Sequence, residues 1–205
     1  MSKNTDSKVR AKVWLRPNQV DALRSACYDV GADYLQQRNE AMIALMYDTG
    51  VRVGELVAID VDHLRDGNTA LYLPTSIQKD YPTDSSPPPA TLELASDVSR
   101  LLSSYLTNRW KNSDALFPSR SSDRITTEGV RNVVNKLAIE AGVRPYLLDG
   151  SRGKPQQVTP HALRHSVAYR MMNAEDGNEL YDVRNRLRHR SITTTEQVYD
   201  HIRRR

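Results

Sequence analysis

No unbroken apolar run in this chain exceeds seven residues, the stretch 41–47. A bilayer span needs roughly 20, so a transmembrane helix is excluded. The first residues, Met1-Ser-Lys-Asn-Thr-Asp, lack the apolar stretch of a signal peptide. One cysteine, Cys27, allows neither an internal disulfide nor a metal site built from several thiolates. Lysine is scarce as well, with 7 against 22 arginines. These absences describe a soluble, intracellular protein. What is present is enough for a core, since 39% of the 205 residues are hydrophobic, and the length suits one large domain or a domain with a short arm.

The net charge of +4 is mild, but its distribution is uneven. From Ala141 onward stand 12 basic residues against 7 acidic ones, with four of the five histidines. Arginine suits planar, bidentate contact with phosphate, so nucleic acid is a sensible first partner, though an ordinary basic enzyme has the same balance. The excess of Asp over Glu, 17 to 8, reflects genome composition or a saline habitat and carries no mechanism.

Along the chain, residues 1–12 read as a mobile polar arm. Arg16-Pro17 opens a helix containing Val20, Leu23 and Ala26. A second helix over 35–48 is apolar nearly all round at 41–47 and so should be deeply buried, with Gly50 as its left-handed cap. A short helix follows at 53–58. Strands are expected at 69–73, 75–79 and 91–94, with a mobile loop over 80–89. Helices resume at 95–108, 127–141, 161–172, 180–188 and from about 194. The expected fold is mainly α with a small three-stranded antiparallel sheet at one edge.

Three segments carry chemistry. In Thr159-Pro160-His161-Ala162-Leu163-Arg164-His165, Thr159 is a good N-cap and Pro160 occupies the first helical position. His161 and Arg164 then share one face beside the free N–H groups of the first turn, a setting suited to an oxyanion. A capped helix with a surface His and Arg is the plainer reading. Zinc binding by His161 and His165 lacks the glutamate and the third ligand it needs. In Asp48-Thr49-Gly50-Val51-Arg52-Val53-Gly54-Glu55-Leu56, Arg52 follows a buried helix and Glu55 can orient it, as in any structural ion pair. The third segment runs from Arg188-His189-Arg190 to Tyr199. There Thr193 and Glu196 read as a capping box for a last helix carrying that tyrosine.

Taken together and in this order, these segments resemble the tyrosine recombinase, or phage integrase, family over residues 13–205. That family's catalytic domain is marked by an Arg in T-G-x-R-x-x-E-L, a hairpin Lys, H-x-x-R, and a His or Trp shortly before a nucleophilic Tyr. The matching positions are Arg52, Lys79, His161, Arg164, His189 and Tyr199; Lys79 is the only lysine between Lys12 and Lys111. The resemblance implies DNA strand transfer through a covalent 3′-phosphotyrosyl intermediate, with no metal, ATP or other cofactor. Tyr199 is then the nucleophile, Arg52 and Arg164 clamp the nonbridging oxygens, and Lys79 protonates the leaving 5′-oxygen. His161 assists proton transfer, His189 hydrogen-bonds an oxygen, and His165 supports the turn from behind. Arg184, Arg186, Arg188 and Arg190 are expected to include DNA-backbone contacts or, equally, to form a solvated basic face.

The partner implied is double-stranded DNA, with self-association on DNA in a synaptic complex, weak association or a monomer without it, and no membrane. The location implied is cytoplasmic and DNA-associated, the source a mobile element or provirus such as an archaeal or viral integrase. Three departures stand out. His189 and Tyr199 are ten positions apart where nine is usual, an extra rotation of about 100° that the turn at 193–195 is expected to absorb. About 12 residues precede the domain, so no N-terminal core-binding domain is expected. Six residues follow Tyr199. Type IB topoisomerase-like relaxation and a non-catalytic DNA-binding regulator are the alternatives.

Overall fold

The computed structural model describes residues 13–78, 86–175 and 178–199. Eight helices hold about half of these residues: α1 (Pro17–Ala26), α2 (Asp33–Thr49), α3 (Val53–Ala58), α4 (Ser96–Asn108), α5 (Thr127–Glu140), α6 (Pro160–Asn173), α7 (Leu180–Leu187) and α8 (Ile192–Tyr199). α2 is the hub. Ala41 to Met46 are all buried, as an all-round apolar run requires, and α1, α4 and α6 pack around it. Gly50 ends it in the left-handed conformation, φ +65°, with its N–H donating to the Met46 carbonyl at 2.9 Å. A side chain there would collide with Leu187, so two constraints demand glycine.

A three-stranded antiparallel sheet lies at one edge in the order β2 (Leu64–Arg65), β3 (Ala70–Leu73), β4 (Ala90–Glu93), with Leu71 opposite Leu92. The expected number of strands is met with a different member. Thr75–Ile77, expected as a strand, forms a 3-10 turn instead, and the outer strand is the two-residue β2. Pro74 brings no N–H to a ladder, and side chains hold the segment beyond it. Thr75 Oγ1 donates to the Pro87 carbonyl at 2.9 Å, and Gln78 Nε2 donates to those of Leu73 and Pro88 at 3.0 and 2.8 Å. Residues 1–12, Lys79 and the rest of the expected loop through 85 lie outside the described residues.

A second, two-stranded sheet pairs β1 (Val13–Trp14) with β5 (Tyr146–Leu147), a contact the sequence reading did not contain. The chain then ties itself to α6, because the N–H of Leu15 donates to Ser166 Oγ at 2.8 Å inside the protein. The largest apolar cluster joins α1 to α5 and the three-stranded sheet, while a smaller one lies between α6, α7 and α8.

Candidate active site

α6 begins as its sequence dictates. Thr159 Oγ1 accepts the Ala162 N–H at 3.2 Å and Pro160 fills the first helical position. One turn in, Arg164 is buried, and its guanidinium donates to the carbonyls of Gly50 and Leu187. It therefore pins the end of α2 to the end of α7. Burial and the nearby charge of Arg52 work against its cationic form, but a guanidinium held by two carbonyls remains charged.

Arg52 is the residue before α3, and Glu55, inside α3, orients it as the spacing suggests. Glu55 accepts from the Arg52 guanidinium at 2.8 Å and from its N–H at 2.7 Å. Glu55 is buried and also accepts from Arg188 at 2.6 Å. Burial alone would raise its pKa; Arg188 and Arg52 outweigh that and hold it below the usual carboxylate range.

His161, Arg164, His189 and Tyr199 converge beside this pair. Tyr199 is 1% exposed, its ring parallel to that of His189 at 5.7 Å and 3°. Its hydroxyl lies 3.0 Å from Nδ1 of His165, donating when that nitrogen is bare and accepting when it is protonated. The His165 ring stands edge-on to His161 at 4.2 Å. His165 therefore lies between His161 and the tyrosine hydroxyl, a contact the sequence reading missed in assigning it to the turn alone. Burial pushes the Tyr199 phenol up to about 12, although Arg164 and Arg52 pull the other way. Burial and the cations Arg164, Arg52 and Arg188 lower His189 to about 3, so its ring is neutral at pH 7. His161 has an exposed edge, yet surrounding protein and the same two arginines, Arg164 and Arg52, lower its pKa too.

α8 starts at Ile192, earlier than expected, so 193–195 is already helical and Thr193 is not its cap. Ser191 caps it, its Oγ accepting the Thr194 N–H at 3.2 Å. The chain turns instead at Arg188, in the left-handed conformation at φ +54°, and His189 Nδ1 lies 2.9 Å from Thr195 Oγ1.

The arginines of 184–190 do not form one basic face. On a helix, positions two apart diverge by about 200°. Arg186 is spent on the Asp48 carboxylate at 2.7 Å and on the carbonyls of Asp48 and Glu93 at 3.0 and 2.9 Å. Arg188 is spent on Glu55. Arg184 and Arg190 stay toward solvent, along a cleft of about 390 Å³ whose wall also includes His189 and Gln78. Lys79, next in sequence after Gln78, lies outside the described residues.

No third ligand joins His161 and His165 among the described residues. Asp60, Asp62 and His63 do cluster elsewhere, but Asp60 is committed to Arg124 and His63 Nδ1 accepts the Asp60 N–H, which leaves no open donor set. Also among the described residues, no helix is long and apolar enough to cross a membrane.

Comparison with known proteins bears on this arrangement. The chain is 33% identical over 170 residues to tyrosine recombinase XerD of Oceanobacillus iheyensis, covering 82% of this chain and 51% of that protein. It is 34% identical over 167 residues to tyrosine recombinase XerC of Roseiflexus castenholzii, covering 80% and 48%. It thus spans about half the length of the curated relatives it matches. The XerA recombinase crystal structure shares the fold with a TM-score of 0.69 at 23% identity, over 90% of this chain and 57% of that one. The Tn1549 transposon integrase in complex with transposon right end DNA does so with a TM-score of 0.69 at 19% identity, over 93% and 62%. The model of the phage integrase family matches residues 13–205, and the chain belongs to that family.

Proposed function

We propose that residues 13–205 form the catalytic domain of a site-specific DNA recombinase that cuts and rejoins duplex DNA through a 3′-phosphotyrosyl bond to Tyr199. The observation that carries this reading is the convergence of Arg52, Arg164, His161 and His189 on one buried tyrosine hydroxyl's surroundings. The Tyr199 oxygen attacks the scissile phosphorus and the bond to the 5′-oxygen breaks. A second 5′-hydroxyl later reverses the exchange, so the phosphodiester's energy is conserved without ATP. Arg52 and Arg164 supply the positive charge that balances the negative charge developing on the nonbridging oxygens, the role a metal ion plays elsewhere. Neutral His189 offers those oxygens a hydrogen bond. Lys79 gives the leaving oxygen its proton.

A phenol held near 12 is a poor nucleophile, and its proton has an acceptor at hand in His165, backed by His161. Tyr199 is also too enclosed to meet a phosphate where it stands, so α8 must shift when DNA binds. The transposon integrase of the same fold, solved in complex with DNA, supports DNA as substrate, and assembly on DNA between copies of the chain follows from the same reading.

The test incubates the protein with a nicked duplex and with supercoiled plasmid in EDTA without ATP, then scores SDS-resistant protein–DNA adducts. Wild type is expected to form them and Tyr199→Phe none, with DNA binding retained. Adduct formation by Tyr199→Phe overturns the nucleophile. Relaxation without strand exchange selects the topoisomerase-like reading, and binding with no adduct on a cognate nicked site selects the regulator.

A further inference from the structure

The two-stranded sheet carries a cluster of cations that the candidate active site does not use. Over the ring of Tyr146 in β5 lie two guanidiniums, with the central carbon of Arg152 4.1 Å and that of Arg16 4.4 Å from the ring centroid. Across the ladder Trp14 stacks on the same ring at 6.3 Å and 17°. Arg144 and Lys154 stand beside them, and all four cations are exposed. Among the described residues none of the four is paired with a carboxylate. The arginine side chains of the loop bond to backbone carbonyls instead. Arg152 donates twice to the Arg144 carbonyl at 2.9 and 2.6 Å, and Arg144 donates to those of Gly153 and Arg152 at 3.0 Å each. The one acid in the intervening loop, Asp149, turns to Ser151.

Four cations gathered without an acid make a local positive field that an anion complements. Stacking on an aromatic ring uses the face of a guanidinium and leaves the Arg16 edge to donate outward, the geometry that grips phosphate, while Arg152, with Nε and Nη2 on the Arg144 carbonyl, keeps its Nη1 side. The carbonyls hold Arg144 and Arg152 in place before any ligand arrives. The position is also telling. β1 is tied to α6 through Leu15 and Ser166, Trp14 packs against the cluster that contains Tyr199, and the chain runs from Lys154 into His161 in seven residues.

We propose that Arg16, Arg144, Arg152 and Lys154 form a second grip on the sugar–phosphate backbone of duplex DNA, holding phosphates away from the one that meets Tyr199. The choice of DNA as the anion rests on the recombinase reading above; the grip itself rests on the patch.

The test is duplex binding by fluorescence anisotropy over a series of salt concentrations. Each phosphate contact contributes about 0.9 to the slope of log K against log salt. Arg16→Gln/Arg152→Gln is therefore expected to flatten the slope by about 2 and to weaken low-salt binding roughly tenfold or more. Lys154→Gln, an exposed single change, should flatten it by about 1. Arg131→Gln, whose guanidinium already pairs with Glu128 at 3.3 Å, should leave the slope at the wild-type value. Wild-type slopes in both patch variants overturn the proposal, as does a wild-type chain whose duplex binding is independent of salt. Adducts at Tyr199, scored on the wild type in parallel, report separately on the chemistry. Adducts with unchanged slopes reject the patch alone, and flattened slopes without adducts keep the patch and reject the recombinase.

Discussion

The two apolar clusters of this molecule are held in different ways. In the larger, α2 is enclosed by α1, α4 and α6, so each buried side chain answers to several elements at once. The smaller has six buried members: Val167, Ala168 and Met171 of α6, Val183 and Leu187 of α7, and Tyr199 of α8. α8 thus enters the interior chiefly through the residue proposed to do the chemistry, with Thr195 and the partly buried Val198 beside it. A nucleophile that must leave its seat to act is better mounted on the weakly anchored element. Segments that move in function are drawn from the low-stability end of a fold.

Ion pairs span the two regions, Asp48 of α2 with Arg186 of α7 and, more deeply buried, Glu55 of α3 with Arg188 beyond α7. Cutting the latter should have the largest effect. Glu55→Gln leaves Arg188 buried without its anion, and stability at pH 7 is expected to fall by about 3–5 kcal/mol in chemical denaturation. The sign of its pH dependence follows from the depressed pKa of Glu55. Its contribution is present above the unfolded carboxylate value of about 4.3 and is lost as pH falls through the lower folded value. The stability curves of the wild type and of the Glu55→Gln variant should therefore converge in acid.

Next in size is a matched pair of truncations. Leu45→Ala, in the larger cluster, is expected to lower the stability of the whole chain by about 2–5 kcal/mol. Leu187→Ala should sit at the low end of that range, about 2 kcal/mol, and should speed hydrogen exchange of the α7 and α8 amides well before those of α2. Equal exchange in both regions would erase the distinction. The smallest effect is a signal that stays still. The C2 proton of His189 should not titrate between about pH 5 and 8 in NMR, because its folded pKa is about 3. An unfolded histidine titrates near about 6.5, so this ring costs stability progressively as pH drops below that value. A His189 titration near about 6.5 would mean that the Tyr199–His189 stack is already open.

Legibility in the sequence followed the range of the interaction. The all-apolar run of α2, the Thr159-Pro160 start of α6 and Gly50 as a cap are local signals, and the structure places each where the residues imply. The pairing of Trp14 with Tyr146 is not local, and a two-residue strand has no pattern to read. The segment at 75–77 has strand-forming residues, but Pro74 and side-chain bonds to Pro87 and Pro88 decide its path. In the candidate site, the spacing of Arg52 and Glu55 or of His161 and Arg164 was readable because a single helix turn defines it. The run 184–190 looked like one basic surface because composition was weighed without the helical period of about 3.6 residues, which sends Arg186 inward to Asp48. His165 was underread for the opposite reason: its partner hydroxyl is 34 residues away.

Arg188 serves two masters with one residue. Its backbone takes a left-handed conformation that glycine adopts freely and that costs an ordinary residue about 1–3 kcal/mol. Its side chain answers the buried carboxylate that also orients Arg52. A glycine would relax the turn and leave Glu55 to Arg52 alone; a lysine would keep a charge but lose the planar fork. The position is thus closed from both sides, and the joint between α7 and α8 is locked by charge at its side chain and sprung by geometry at its backbone.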